Sequence, residues 1–258
     1  MHTRRLVAAV STLALAAVLV PAAAQADPTH TIAEVQGTDA ATPLLGTTVT
    51  VQGVVTADHR GSGGYGGIYV QTAGSGGATD ATPGASDGIF VFLNTRTTPA
   101  VVGDLVEVTG VAGEYFGLTQ INASGAPDLV TVVTPAADLD PALVPAPVPL
   151  PDDVVGADRE QYEGMLVTPE GDYRVSSMHE VDRFGSVWLA AGSVPVKSTE
   201  VARPGTDADQ IAAANRAATI LLDDGRTAQV TTATQPYLVA DDVVRIGDRV
   251  DFGDLAYV

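Results

Sequence analysis

The chain has no cysteine among its 258 residues. Disulfides, thiol chemistry and thiolate metal sites are therefore excluded, and stability has to come from burial. Positive charge is nearly as scarce. Lys197 is the one lysine, and 13 Lys+Arg face 31 Asp+Glu, a net charge of −18. Strong non-specific nucleic-acid binding is a phosphate-neutralisation effect and wants a basic surface. This balance argues against such binding as a stand-alone activity. It fits high solubility, and it is compatible with divalent cations. Histidine is also sparse: besides His2 near the start, His30, His59 and His179 lie far apart in sequence. Metal-assisted phosphodiester hydrolysis usually needs a histidine beside a carboxylate–metal centre. His59 after Asp58 and His179 before Glu180 read as solvated loops. Helix signals are few, the good one following Thr206, where Asp207 can cap and Ile211–Arg216 favours helix.

What is present begins with a leader. Arg4 and Arg5 form a basic head, Leu6 to Val20 an apolar run, and Ala24-Gln25-Ala26 a small-residue cleavage site. The run is short for a membrane span, which needs roughly 20 residues. Residues 1–26 are therefore expected to be a signal peptide, with Asp27 as mature N-terminus. The product is expected to be secreted and extracellular, with no membrane attachment after cleavage. Losing Arg4 and Arg5 makes it more acidic still.

Beyond the leader the pattern is short β-rich runs between Gly, Asp and Pro, such as Thr48–Val55, Ile68–Gln71, Ile89–Phe92 and Leu105–Val111. Pro135, Pro141, Pro145, Pro147, Pro149 and Pro151 give 135–154 an extended, semi-rigid texture, expected to be a linker. The stretches on either side repeat. Tyr65-Gly66-Gly67-Ile68-Tyr69-Val70 matches Phe184-Gly185-Ser186-Val187-Trp188-Leu189. Gly88-Ile89-Phe90-Val91 corresponds to Thr219-Ile220-Leu221-Leu222, and Gly103-Asp104-Leu105-Val106 to Gly247-Asp248-Arg249-Val250. In the last block Gly supplies a positive φ and Asp an Asx turn ahead of a strand. Such turns lead into the fourth strand of an OB barrel, a five-stranded Greek-key barrel. The expected fold is mainly β, with two OB-like Greek-key barrels in tandem and one short helix. The first spans 30–134 and the second 155–258. The second is expected to be incomplete and C-terminally truncated, because no counterpart of the first copy's run to Ile121 follows Gly247-Asp248.

Several segments resemble the N-terminal region of secreted actinobacterial nucleases of the endonuclease/exonuclease/phosphatase (DNase-like) family. They include Ile32–Gly37, Val49–Ala57, Asp80–Val91, Gly113–Ile121, Tyr162–Val167 and Leu222–Thr227. In that family such modules precede a metallohydrolase domain. The resemblance implies an accessory region of an extracellular DNA/RNA-degrading enzyme that positions substrate or braces the hydrolase. None of the hydrolase motifs can be placed here, so no catalytic residue is carried over. The expected partners are that catalytic domain and, weakly, DNA or RNA. No cofactor is expected for this chain, and a divalent metal, Mg or Ca, belongs to the catalytic domain. The alternative is a non-catalytic secreted module for a cell-wall glycan or a protein, since OB barrels host both.

OB folds take single strands by aromatic stacking and backbone cations. The candidates for that contact are Arg60 and Tyr65 in a Gly-rich loop, Tyr115 and Phe116 in another turn, and Arg183 with Phe184 at the repeat position of Tyr65. Packing at the barrel rim is the competing role for all six. Tyr69, Phe90, Phe92 and Trp188 lie in strand patterns and are expected mainly in the core. Asp223 and Asp224 are the best metal candidates, with a hairpin turn at Asp223-Asp224-Gly225 as the alternative.

Overall fold

The computed structural model describes residues 27–77, 82–229, 244–250, 252 and 258. The expected leader and its cleavage site, residues 1–26, lie outside them. No helix among the described residues is long and apolar enough to cross a membrane.

The first ordered element is a helix that the sequence signals announce only locally. Thr31 accepts from the Glu34 amide, while the Glu34 carboxylate accepts from the Thr31 amide. This capping box opens α1 (Ile32–Gln36), which drops Ile32 and Val35 into the core.

Six strands follow: β1 (Thr48–Asp58), β2 (Gly67–Gln71), β3 (Gly88–Phe92), β4 (Leu105–Tyr115), β5 (Leu118–Asn122) and β6 (Val130–Thr134). β1 pairs antiparallel with both β2 and β4, β3 pairs antiparallel with β2 and parallel with β5, and β5 pairs antiparallel with β4. The ring β1-β2-β3-β5-β4 therefore closes on itself, which is OB connectivity, and β6 adds outside on β4. Alternate residues fill the interior: Val49 and Val51, Ile68 and Val70, Ile89 and Val91, Val106 and Val108, Ile121.

The Pro-rich stretch 135–154, expected to be a semi-rigid linker, is pinned along the first barrel. Leu139 is buried against Val54 and Leu105 on the barrel's outer side. Gly74 donates to the Leu143 carbonyl, Ala146 to Ser75 and Gly77 to Pro147. Prolines cannot donate, but their carbonyls and the intervening amides can bond an exposed edge. The stretch ends in β7 (Val148–Pro151), which pairs parallel with β8 (Val167–Glu170).

The second half then builds β9 (Tyr173–Ser177), α2 (Val181–Phe184), β10 (Val187–Ala191), α3 (Ser198–Val201), α4 (Thr206–Ala217), β11 (Thr219–Leu222) and β12 (Arg249–Val250). α4 starts earlier than the Asp207 cap predicts. Gly205 is its N-cap, without a side-chain bond, and Asp207 and Asp209 sit in the first turn, where they favour the helix dipole.

The sheet order is β11-β10-β9-β12, which is β3-β2-β1-β4 of the first barrel. The repeat holds in register. Ile68 faces Val91 as Val187 faces Leu222. β1 bulges between Val55 and Ala57, and β9 has the matching irregularity between Val175 and Ser177. The Gly-Asp turns are the same to the bond. Gly103 donates to the Val55 carbonyl and Val55 to that of Asp104, as Gly247 donates to Val175 and Val175 to Asp248. Asp104 accepts from the Val101 amide and Asp248 from the Arg245 amide. Both glycines need the left-handed region, with φ of 93° and 95°. The second unit thus carries four of the five barrel strands, and no counterpart of β5 is found among the described residues.

Candidate aromatic groove

Inward alternation on β2, β3 and β5 leaves the intervening side chains facing out. Tyr69 on β2, Phe90 and Phe92 on β3, and Leu118, Gln120 and Asn122 on β5 line one groove of ≈ 610 Å³. Tyr69, Phe90 and Phe92 were expected mainly in the core. Phe90 is buried as expected, at 4 % exposure, while Tyr69 and Phe92 are half-buried, and all three lie outside the barrel's interior cluster because their neighbours in sequence take those positions. Trp188 is likewise outside the second unit's core cluster, and its indole N–H donates to Glu180 at 3.0 Å. Periodicity assigns two faces to a strand but does not say which is inside when both are apolar. Phe90 lies across Gly67, where a Cβ would come within 2.4 Å of the Phe90 ring. The Tyr69 and Phe90 rings meet at 5.0 Å. Burial pushes the Tyr69 phenol up to about 12.

Two loops wall the groove, the β1–β2 loop and the β4–β5 hairpin tip. Tyr115 faces Leu118 across a two-residue turn, Phe116-Gly117. Both turn residues are left-handed, with φ of 53° and 85°. This is the type I′ pattern, which favours Asn-Gly and strains a phenylalanine. Phe116 is nevertheless 96 % exposed, with its ring edge-on to Tyr115 at 4.8 Å.

The opposite wall carries Tyr65 and, from the second half of the chain, Thr227. The Tyr65 hydroxyl donates to Asp223 Oδ1. Burial, and then this bond, raise its ionisation well above the usual phenol range. His59 stacks against Tyr65 at 5.1 Å and edge-on to Tyr69 at 5.6 Å.

The other sequence candidates separate from this cluster. Arg60 is tied down. It grips Asp58 at 2.6 Å and donates to the Thr98 and Ala100 carbonyls, and this pairing holds the Asp58 carboxyl below its usual range. Four of its five N–H donors are used within the chain, and its charge is paired with Asp58. Arg183 lies 4.9 Å over the Phe184 ring, and neither residue lines the groove. Asp223 has both carboxylate oxygens engaged by protein donors. One oxygen accepts from Tyr65 and the Gly225 amide, and the other from Ser186 at 2.7 Å. Asp224 accepts from the Arg226 amide at 3.1 Å. Among the described residues no group of three or more His, Asp or Glu is placed to hold a metal ion.

A second polar cluster, unannounced by sequence reasoning, closes the mouth of the first barrel. Glu163 lies on the strap between β7 and β8 and accepts from the Thr119 amide at 3.1 Å. Glu114 accepts from the Thr119 hydroxyl and the Thr42 amide. Ser86 and Gln36 donate to the Glu163 carbonyl. The strap passes so close that a Cβ on Gly88 would sit 2.2 Å from the Gly164 carbonyl oxygen. Burial, with Glu160 and Glu114 nearby, pushes the Glu163 carboxyl up to about 7.

No protein-family model matches the chain. No curated protein matches it either. Among solved structures it is similar to OBody AM2EP06 bound to hen egg-white lysozyme, at 22 % identity and a TM-score of 0.29, covering 44 % of this chain and 100 % of that one. OBody AM1L10 bound to hen egg-white lysozyme is similar at 20 % identity and a TM-score of 0.29, covering 44 % and 98 %.

Proposed function

We propose that the chain is a secreted binding module that takes an extended, uncharged oligosaccharide along the aromatic groove of its first barrel. One observation carries this reading: the groove is lined by tyrosines, phenylalanines, leucine, two amides and a threonine, with no charged side chain among its described lining residues. A pyranose ring has an apolar C–H face for aromatic rings and hydroxyl edges for the Gln120 and Asn122 amides and the Thr227 hydroxyl. The groove lies on the β2–β3 face between the β1–β2 and β4–β5 loops, where OB barrels carry ligands. A phosphodiester would need cations, and Arg60, the nearest sequence candidate, is spent on Asp58 and two carbonyls.

A second reading is the accessory role in an extracellular DNA/RNA-degrading enzyme, with the groove stacking bases. It is favoured by the nuclease-like segments, and by aromatic faces that accept bases as readily as sugars. One titration separates the two. Calorimetry of the mature chain with neutral linear oligosaccharides and with oligo-dT, at low and high salt, should show salt-independent sugar binding that Tyr69→Ala and Phe92→Ala weaken at least tenfold. Binding of oligo-dT that falls steeply with salt, with no sugar bound, would replace the first reading with the second.

A further inference from the structure

We propose that Asp223 is a positioning residue for the groove: it clamps Tyr65 from the second half of the chain, so the binding surface on the first barrel is completed by the second unit. This rests on the groove being the ligand site. Tyr65 sits in Gly61-Ser62-Gly63-Gly64-Tyr65-Gly66-Gly67, a loop with little side-chain mass to fix it. Glycine-rich backbone has large conformational freedom, and an unrestrained loop would have to be ordered by the ligand. The fixing groups come from beyond β11. Asp223 receives the Tyr65 hydroxyl, and is itself held by Ser186 and the Gly225 amide. Thr227 donates its amide to the Gly63 carbonyl at 2.6 Å and adds its hydroxyl at 3.2 Å. His59 fills the space behind Tyr65, with Nδ1 at 3.3 Å from the Gly225 carbonyl oxygen. Gly225 has no side chain there because a Cβ would meet the imidazole at 2.7 Å. Two segments some 160 residues apart are thus locked at the groove wall, and Thr227 also lines the groove.

The test uses the whole mature chain, with Asp223→Ala, Tyr65→Phe, the double variant, and Asp223→Asn. A linear β-1,4-linked glucose hexasaccharide is the binding probe, and exchange of the Gly64 and Gly66 amides, followed by NMR, is the ligand-free readout. Both amides are hydrogen-bonded within the loop. Asp223→Ala should speed their exchange at least tenfold. It and Tyr65→Phe should each weaken binding roughly tenfold, with the double variant no weaker than either. Asp223→Asn keeps an acceptor oxygen and should restore binding and protection to near the original values. Unchanged amide exchange in Asp223→Ala, or effects of the two single changes that multiply, would overturn the assignment. If the hexasaccharide does not bind the unaltered chain, the oligosaccharide reading fails, and the exchange data still decide whether Asp223 holds the loop.

Discussion

The two halves share one strand order and, among the described residues, differ in closure. In the first, β5 joins β3 to β4 and seals a core of 17 buried residues. In the second, β11 and β12 stand at opposite edges of the sheet, and 5 buried residues form its core cluster among those described. Cohesion scales with apolar area removed from water, and among the described residues the first half buries the larger core. The same turn and bulge geometry thus serves two ends. The closed copy presents the aromatic groove, and the second copy supplies the Asp223–Thr227 turn that packs on its Tyr65 wall.

The sharpest way to break this asymmetry is in the core. Ile121→Ala empties a fully buried site on β5 and should cost about 2–5 kcal/mol in urea denaturation. Leu189→Ala should shift an earlier, separate transition of the second sheet, monitored by Trp188 fluorescence. A single coincident transition for both variants would show that the halves fold as one unit.

Next in size is the junction. Gly88→Ala drives a methyl into the Gly164 carbonyl and should cost about 1–3 kcal/mol through overpacking. Limited proteolysis should then cut within 156–166 faster than within the pinned Pro-rich stretch.

The pH dependence is smaller and has a definite sign. Glu163 is raised from 4.5 to about 7 in the folded state, so the native chain holds that proton more tightly than the unfolded one. Its contribution therefore makes stability fall as pH rises from about 4.5 to about 7. Glu160, also raised, first by burial, acts in the same sense. Melting temperatures between pH 5 and 7.5 should slope down in the native sequence and flatten in Glu163→Gln. An unchanged slope would remove Glu163 as the cause.

The smallest effect sharpens the contrast between stability and binding. Phe116→Asn relieves a left-handed phenylalanine and should raise stability by roughly 0.5–1 kcal/mol while weakening sugar binding, since strained residues hold of order 1–3 kcal/mol. Thermal melts and calorimetry on the same sample check both halves of the claim.

Much of the fold was legible in the sequence. Alternating apolar runs marked β1 to β4, and three blocks in shared order marked the strands β10, β11 and β12 of the second sheet. Gly103-Asp104 and Gly247-Asp248 did so because a positive-φ glycine followed by an Asx-turn aspartate is a local instruction. The Thr31–Glu34 capping box is likewise a local signal, its partners three residues apart. Tyr115 and Phe116 could be named as exposed aromatics from their turn. What the sequence could not assign was anything set by distant neighbours. Tyr69 and Phe90 alternate with equally apolar residues, so only barrel closure decided which faced out. Arg60 looked free until Thr98, Ala100 and Asp58 surrounded it, and nothing near Asp223 in sequence announced that Tyr65 and Ser186 would bond its carboxylate. Strand, turn and repeat were determined by interactions a few residues long. The groove, its clamp and the carboxyl-lined mouth were decided by contacts 40 to 170 residues apart, which pattern alone does not encode.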